Sequence, residues 1–289
     1  MRASAACLAG LALPRAGLAA ANAVPRRIVT IGSDITETVA RIDGLSRIVA
    51  VDSGSRRPPG VEKLPRVGFM RSLSAEGVVG ATPDLIVATS ASGPPDVIKQ
   101  ITDAGIRLET LPISESVEGI LAKTMSIGAL IDRTAPAARL AQDIAAQAAA
   151  LRDRLSGVTA RPKVLFVVGL AASAPLAAGA IPAISGAIAL AGGENAGNAW
   201  TSVKPVSREA LYGMQISLVL TTSEILGRAG GPEGFLRLIG LSELASLSAD
   251  RAMAIDTDPF FLFGPSTVEL ATEVARKLHP EQFADTRPG

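Results

Sequence analysis

One stretch of this chain occurs twice. Residues 73–90 align with residues 206–223 without a gap, pairing Ser74 with Ser207, Glu76 with Glu209, Gly80 with Gly213, Leu85 with Leu218, Thr89 with Thr222 and Ser90 with Ser223. Each copy opens on a serine able to accept a hydrogen bond from a free first-turn N–H. A short helix then runs to a glycine stop, and an apolar run reading as a buried strand ends in small hydroxyl residues. A helix–strand unit used twice requires two similar lobes, each of mixed α/β type.

The surrounding pattern agrees. Strands are expected at 27–31, 47–51, 85–89 and 107–111, and helices at 34–42, 74–80 and 94–104. This β-α-β order implies a mainly parallel sheet with helices on both faces. Residues 116–155, between the copies, carry no strand pattern and are rich in the strong helix formers Ala, Leu, Gln and Arg. Leu140, Ile144, Ala148 and Leu151 recur there at helical spacing, and Pro136 marks a kink or the first turn of a second helix. Strand and helix patterns resume afterwards and end in a helix at 267–278. The expected fold is therefore α/β, with two Rossmann-like lobes joined by a long connecting α-helix. The lobes span 24–114 and 157–289, and the connecting helix region spans 115–156. Ligands of open α/β sheets bind outside the carboxyl ends of the strands, which places a binding cleft between the lobes.

Residues 1–23 read as a secretory signal. Arg2 is a minimal positive region, 5–13 is apolar, Pro14 ends the stretch, and Ala21-Asn-Ala23 supplies a small-x-small cleavage pattern. Cleavage near Ala23 removes Cys7, the sequence's single cysteine, and leaves a chain with no thiol for disulfides or metal. Ser4-Ala-Ala-Cys7 lacks the Leu that precedes a lipidated cysteine. The uncharged stretch 164–193 is long enough to span a membrane, but Pro175, Pro182 and its glycines break it into strand, turn and buried helix. With 28 Lys+Arg against 27 Asp+Glu, the charge balance points to no nucleic-acid partner.

The sequence offers little for catalysis. Its one histidine, His279, stands in Lys277-Leu-His-Pro280, where it suits the end of a helix. The chain has no G-x-S-x-G elbow, P-loop, H-E-x-x-H or G-x-G-x-x-G motif. This pattern points to binding rather than to an enzyme, with no closed metal site.

Several motifs do carry a resemblance. Val67-Gly-Phe-Met-Arg-Ser-Leu-Ser-Ala-Glu-Gly-Val78 leads into Pro83-Asp-Leu-Ile-Val-Ala-Thr89 and Gly93-Pro-Pro95. Lys204-Pro-Val-Ser-Arg-Glu-Ala-Leu211, Leu262-Phe-Gly-Pro265 and Leu278-His-Pro280 follow. From Val24 onward the chain resembles the haem-binding members of the helical-backbone periplasmic receptors, a class that also contains cobalamin and siderophore receptors. The resemblance implies a class III periplasmic binding protein: a monomer, exported to the periplasm, that hands haem to the permease dimer of an ABC importer. It implies a cleft formed by Phe69, Met70 and Arg71, with Arg71 pairing a propionate. Lys204, and Arg228 on the glycine-bordered loop Gly227-Arg-Ala-Gly-Gly231, would add a cationic contact from the other lobe. Trp200 and the run Phe260-Phe-Leu-Phe263 are candidates for packing on a macrocycle. Glu76 and Glu209 would dock to the permease.

Phe69 stands where the haem receptors carry the Tyr that ligates iron, and a phenyl ring has no donor atom. Met70 is a weak substitute through its thioether. The resemblance then implies haem held by ring burial and propionate pairing. The alternatives are another tetrapyrrole or a corrinoid, a ferric siderophore, or a sensory binding domain of the same fold.

Overall fold

In a computed structural model, which describes residues 24–171, 174–243 and 247–284, strands buried on both faces build two parallel sheets. The signal segment and Cys7 lie outside the described residues. The first lobe contains β1 (Ile28–Ile31), α1 (Ser33–Asp43), β2 (Ile48–Val51), β3 (Gly68–Phe69), β4 (Ser72–Leu73), α2 (Ala75–Gly80), β5 (Leu85–Thr89), α3 (Pro95–Asp103) and β6 (Leu108–Leu111). Its sheet has the order β2-β1-β5-β6, all parallel. Two helices follow, α4 (Val117–Leu130) and α5 (Thr134–Arg154).

The second lobe begins with β7 (Lys163–Leu170), β8 (Pro175–Ala177), α6 (Pro182–Leu190), β9 (Glu194–Asn195) and β10 (Lys204–Pro205). It continues through α7 (Arg208–Tyr212), β11 (Ile216–Thr221), α8 (Ser223–Arg228), α9 (Pro232–Leu238) and β12 (Ala252–Ala254), and closes with α10 (Asp258–Leu262) and α11 (Thr267–Leu278). Parallel pairing here runs β9-β7-β11-β12, which repeats the first sheet's order. The antiparallel ribbon β8–β10 is added along the distal half of β7. The uncharged stretch 164–193 thus supplies β7, β8 and α6, and no helix among the described residues is long and apolar enough to cross a membrane.

The two-residue period of the strands decides where the cores form. On β5, Leu85 and Val87 face one side and Ile86 and Ala88 the other. On β7, Val164 and Phe166 face one side and Leu165 and Val167 the other. The outer sets fill cores private to each lobe. The inner sets of both sheets enter one continuous core with residues of α1, α4, α5, α6, α10 and α11. The lobes therefore share an interior as well as a connector.

The repeat holds at the level of backbone conformation. Ser74 and Ser207 cap their helices by accepting from the N–H of Gly77 and Ala210. The expected glycine stops are not where the chain turns left-handed: Gly213 is right-handed, and positive φ falls instead on the aligned pair Thr82 (45°) and Gln215 (53°). β5 and β11 then occupy matching places in their sheets.

The connecting region consists of two packed helices rather than one. The break falls at Asp132, whose φ is 57°, ahead of Pro136, which lies in the first turn of α5. Arg133 and Arg47 both pair with Asp43 at the end of α1, and Arg47 also donates to the carbonyl of Ile131, fixing this corner to the first lobe. Near the start of α1, Asp34 and Lys123 of α4 form an ion pair with side chains 1% and 4% exposed. Burial pushes the Asp34 carboxyl above its ordinary range, while the charge and hydrogen bond of Lys123 pull it back.

The second lobe meets the same helix and the loop after β2. Ser266 donates to Glu37, Arg41 reaches Glu269 at 3.6 Å, and Arg57 reaches Asp256 at 3.3 Å. Gly264 allows this approach, since a Cβ there would lie 3.0 Å from that of Asp34.

Lys123→Met leaves Asp34 buried without its cation and is expected to destabilise the protein by about 3–5 kcal/mol at pH 7. The loss should shrink toward acidic pH, where Asp34 takes up a proton, and recover in part in Asp34→Asn/Lys123→Met. Urea unfolding at two pH values measures both effects.

Candidate functional site

A tight hairpin presents the motif Gly68-Phe-Met-Arg71. Gly68 pairs with Leu73 and Phe69 with Ser72, so Met70 and Arg71 form the turn. Gly68 has φ 97°, and a Cβ there would meet the Ser72 carbonyl at 2.7 Å, so this position requires glycine. The Gly93-Pro-Pro95 element braces the hairpin from behind. Gly93 N–H donates to the Met70 carbonyl at 2.9 Å and its carbonyl accepts from Leu73 N–H at 3.0 Å. Ser53 N–H donates to the Gly68 carbonyl at 2.8 Å on the opposite side. These two motifs, separate in sequence, are one structural unit.

The hairpin forms part of the wall of a cavity of about 980 Å³ between the lobes, at the carboxyl ends of their strands. Phe69, Met70, Arg71, Asp52 and Arg56 line it from the first lobe, and Ile113 and Glu115 from the entry to α4. Pro182 at the start of α6, Val203 before β10, and Asp258, Phe261 and Leu262 of α10 line it from the second lobe. Phe69 is 50% exposed, an unusual state for a phenylalanine, and its ring lies over Gly54. A smaller depression of about 500 Å³ between α5 and α11 is lined largely by charged side chains such as Arg154, Glu273 and Arg276.

Carboxylates organise the floor of the cleft. Asp52, at the end of β2, is buried and accepts from Gly32 N–H, Gly54 N–H and the Ser55 hydroxyl at 3.0, 3.0 and 2.6 Å. It thereby shapes the loop that carries Arg56. Asp258, in the first turn of α10, has one buried carboxyl oxygen with no hydrogen-bond partner among the described residues. Burial, then the nearby charges of Asp256 and Asp52, push its pKa up to about 7 against the opposing pull of Arg56 and Arg57.

The sequence profile of the family described as "Periplasmic binding protein" matches residues 28–258. The chain belongs to this family. Among solved structures, it is similar to the periplasmic haem-binding protein BhuT in complex with two haems, at 30% identity and TM-score 0.81, covering 89% of this chain and 98% of that one. It is also similar to apo RhuT, a periplasmic haem-binding protein from Roseiflexus sp. RS-1, at 31% identity and TM-score 0.80 over 89% and 99% of the two chains. A curated relative is YvrC of Bacillus subtilis (strain 168), described as an uncharacterized ABC transporter substrate-binding lipoprotein, 22% identical over 90% of this chain and 82% of its own length. The class III binding-protein fold expected from the sequence is the fold of these neighbours.

Within this family frame, the cleft brings Phe69, Met70 and Arg71 together, with Met70 also packed against the first lobe's private core. Lys204 does not line the cavity. It lies on β10 with its ammonium 4.6 Å from the centroid of the Trp200 ring, which is likewise outside the lining. Arg228 is also outside it. The stretch read as a glycine-bordered loop is helical at that point, and Arg228 ends α8, ion-paired with Glu224 one turn back. Of the run 260–263, Phe261 and Leu262 face the cavity, whereas Phe260 and Phe263 are buried in the shared core. His279 is buried and hydrogen-bonded to the Gly192 carbonyl at 3.1 Å, and Tyr212 is exposed on α7. Asp52, Arg56 and Asp258 were not singled out by motif. Asp52 and Asp258 follow β2 and β12 at the strand ends, a position that does signal ligand contact.

Glu76 and Glu209 are exposed at equivalent positions of α2 and α7. Its own backbone N–H, then the Ser207 hydroxyl, hold the Glu209 carboxyl below its usual range. One turn further along each helix stands an exposed apolar residue, Val79 at 39% and Tyr212 at 37% exposure. These two also align in the repeat, so each lobe presents an acid and an apolar side chain on one helical face.

Folding raises the affinity of Asp258 for a proton, so its contribution to stability is present in acid and is lost as pH rises through about 7. Asp258→Asn is therefore expected to match the parent at pH 4 and to melt at a higher temperature at pH 8. Scanning calorimetry across that range checks the sign.

Proposed function

We propose that this protein captures haem, or a closely related porphyrin, in the periplasm and delivers it as a monomer to an ABC importer. The observation that carries this reading is the cavity of about 980 Å³, walled by apolar side chains and presenting the exposed Arg71 from a braced hairpin. Ligand pockets are concave and mainly apolar, with a few polar groups that fix orientation, and this volume lies at the upper end of their usual roughly 300–1,000 Å³. Two structural neighbours near 30% identity over almost their full length, both haem-binding proteins, support the choice of cargo. The family's role as binding proteins supports capture and release without covalent chemistry.

Delivery is assigned to the exposed pairs Glu76/Val79 and Glu209/Tyr212. An acid early in a helix also complements the helix dipole. An exposed apolar neighbour does nothing for the dipole, and its recurrence on both lobes favours a partner surface with basic and apolar groups. That partner is the permease dimer. Residues 24–114 and 157–289 then act as the two arms of the receptor, with 115–156 as their brace.

Titration of the mature chain with haemin is expected to give saturable binding with a defined Soret band. Absence of saturable binding would reject haem as the cargo. Glu76→Ala/Glu209→Ala should leave the haemin Kd within twofold of the parent while lowering haem-dependent uptake in cells at least tenfold. Unimpaired uptake by this variant would point to a sensory role instead.

A further inference from the structure

The two walls of the cleft differ in chemistry. Cations come only from the first lobe: Arg56, on the loop shaped by Asp52, and Arg71, at the hairpin turn. Both are exposed, and neither makes a hydrogen bond or ion pair among the described residues. The second lobe contributes Ile181, Pro182, Ala183, Val203, Phe261 and Leu262, with Asp258 and three hydroxyl side chains but no cation.

Of the usual axial donors to haem iron, the lining holds only Met70. The sequence has a single histidine and a single tyrosine, and neither His279 nor Tyr212 lines the cavity. Met70 packs into the first lobe's core, and Asp52 is occupied by Gly32, Gly54 and Ser55. The remaining acids of the lining, Glu115 and Asp258, are carboxylates, which stand outside the His, Cys, Met and Tyr side chains that hold haem iron.

We infer that the cleft recognises a planar, largely apolar macrocycle by its face and by carboxylates at its edge, with those carboxylates turned toward Arg56 and Arg71, and that it leaves the centre of the ring unligated. This inference rests on the porphyrin reading above and specifies its chemistry. A guanidinium pairs with a carboxylate through two parallel hydrogen bonds, and a pair of them on one wall fixes which edge of the ligand enters on that side. The opposite wall buries the ring face and so removes apolar surface from water. The ligand class is a porphyrin with free carboxylates, with or without a metal. Corrinoids, whose rims carry amides, offer the guanidiniums no carboxylate at the edge of the ring.

The test is a titration panel of haemin, protoporphyrin IX, protoporphyrin IX dimethyl ester and cyanocobalamin against the mature chain, Arg56→Met, Arg71→Met and Phe69→Tyr. Haemin and protoporphyrin IX are expected to bind the parent within threefold of each other, and the dimethyl ester and cyanocobalamin at least tenfold more weakly. Each arginine variant should weaken haemin and protoporphyrin IX equally, by at least fivefold. Phe69→Tyr, which adds an oxygen donor at an exposed lining position, should tighten haemin alone. Haemin binding the parent more than tenfold tighter than protoporphyrin IX would overturn the inference and leave the haem reading standing. Equal binding of acid and ester would remove the role of the arginines. Failure of every porphyrin to bind would reject the porphyrin reading and this inference together.

Discussion

The burial of α1 is the constraint on which the rest of this structure depends. Most of the helix is inaccessible to solvent, its polar residues included. Its apolar residues Ile35 and Val39 sit in the core shared by both sheets, and its acids face α4 on one side and α11 on the other. A helix this deeply buried must have each acid answered locally, because an unpaired buried carboxylate costs several kcal/mol. Lys123 answers Asp34, Ser266 and Arg41 answer Glu37, and Arg47 with Arg133 answers Asp43. Apart from Arg41 on α1 itself and Arg47 just beyond it, the answering residues come from α4, the start of α5 and the second lobe. Satisfying this one helix therefore fixes the connector and the second lobe in place.

The cleft inherits its geometry from that arrangement. Its floor begins at Ser33, the first residue of α1, and passes to Asp52 and the loop it holds. The hairpin that carries Phe69 and Arg71 is braced by Ser53 on one side and Gly93 on the other. Side chains aimed into the cavity stand on backbone tied by hydrogen bonds to the ends of buried strands. Precision of this kind comes from support beneath the site rather than from the lining itself.

The sequence made the elements legible because their signals are local. The strand at 85–89 and the helix at 267–278 have the bounds their periodicity indicates, and the repeat led correctly to two sheets of matching order. What it did not disclose depends on contacts between distant residues. Pro136 signalled a second helix, and it does lie in the first turn of α5, but the corner itself falls at Asp132 and is held by Arg47 and Arg133. The left-handed residues Thr82 and Gln215 lie two positions beyond the glycines that drew attention. In the cleft, the motif placed Phe69, Met70 and Arg71 against the cavity, but composition alone did not separate Arg56, which lines it, from Lys204 and Arg228, which do not. An arginine's role is set by which way its segment faces, and no periodicity in a loop records that.

The seam between the first lobe and the second also bears on kinetics. Opening the lobes widely would separate Glu37 from Ser266, Arg41 from Glu269 and Arg57 from Asp256, and would expose the core that the sheets share. A cavity kept in shape this way loses little chain entropy when a ligand enters. Arrival then resembles a single encounter with a ready surface, without a slow rearrangement to limit it. Competing ligands would enter at similar rates, and the protein would sort them by how long each one stays.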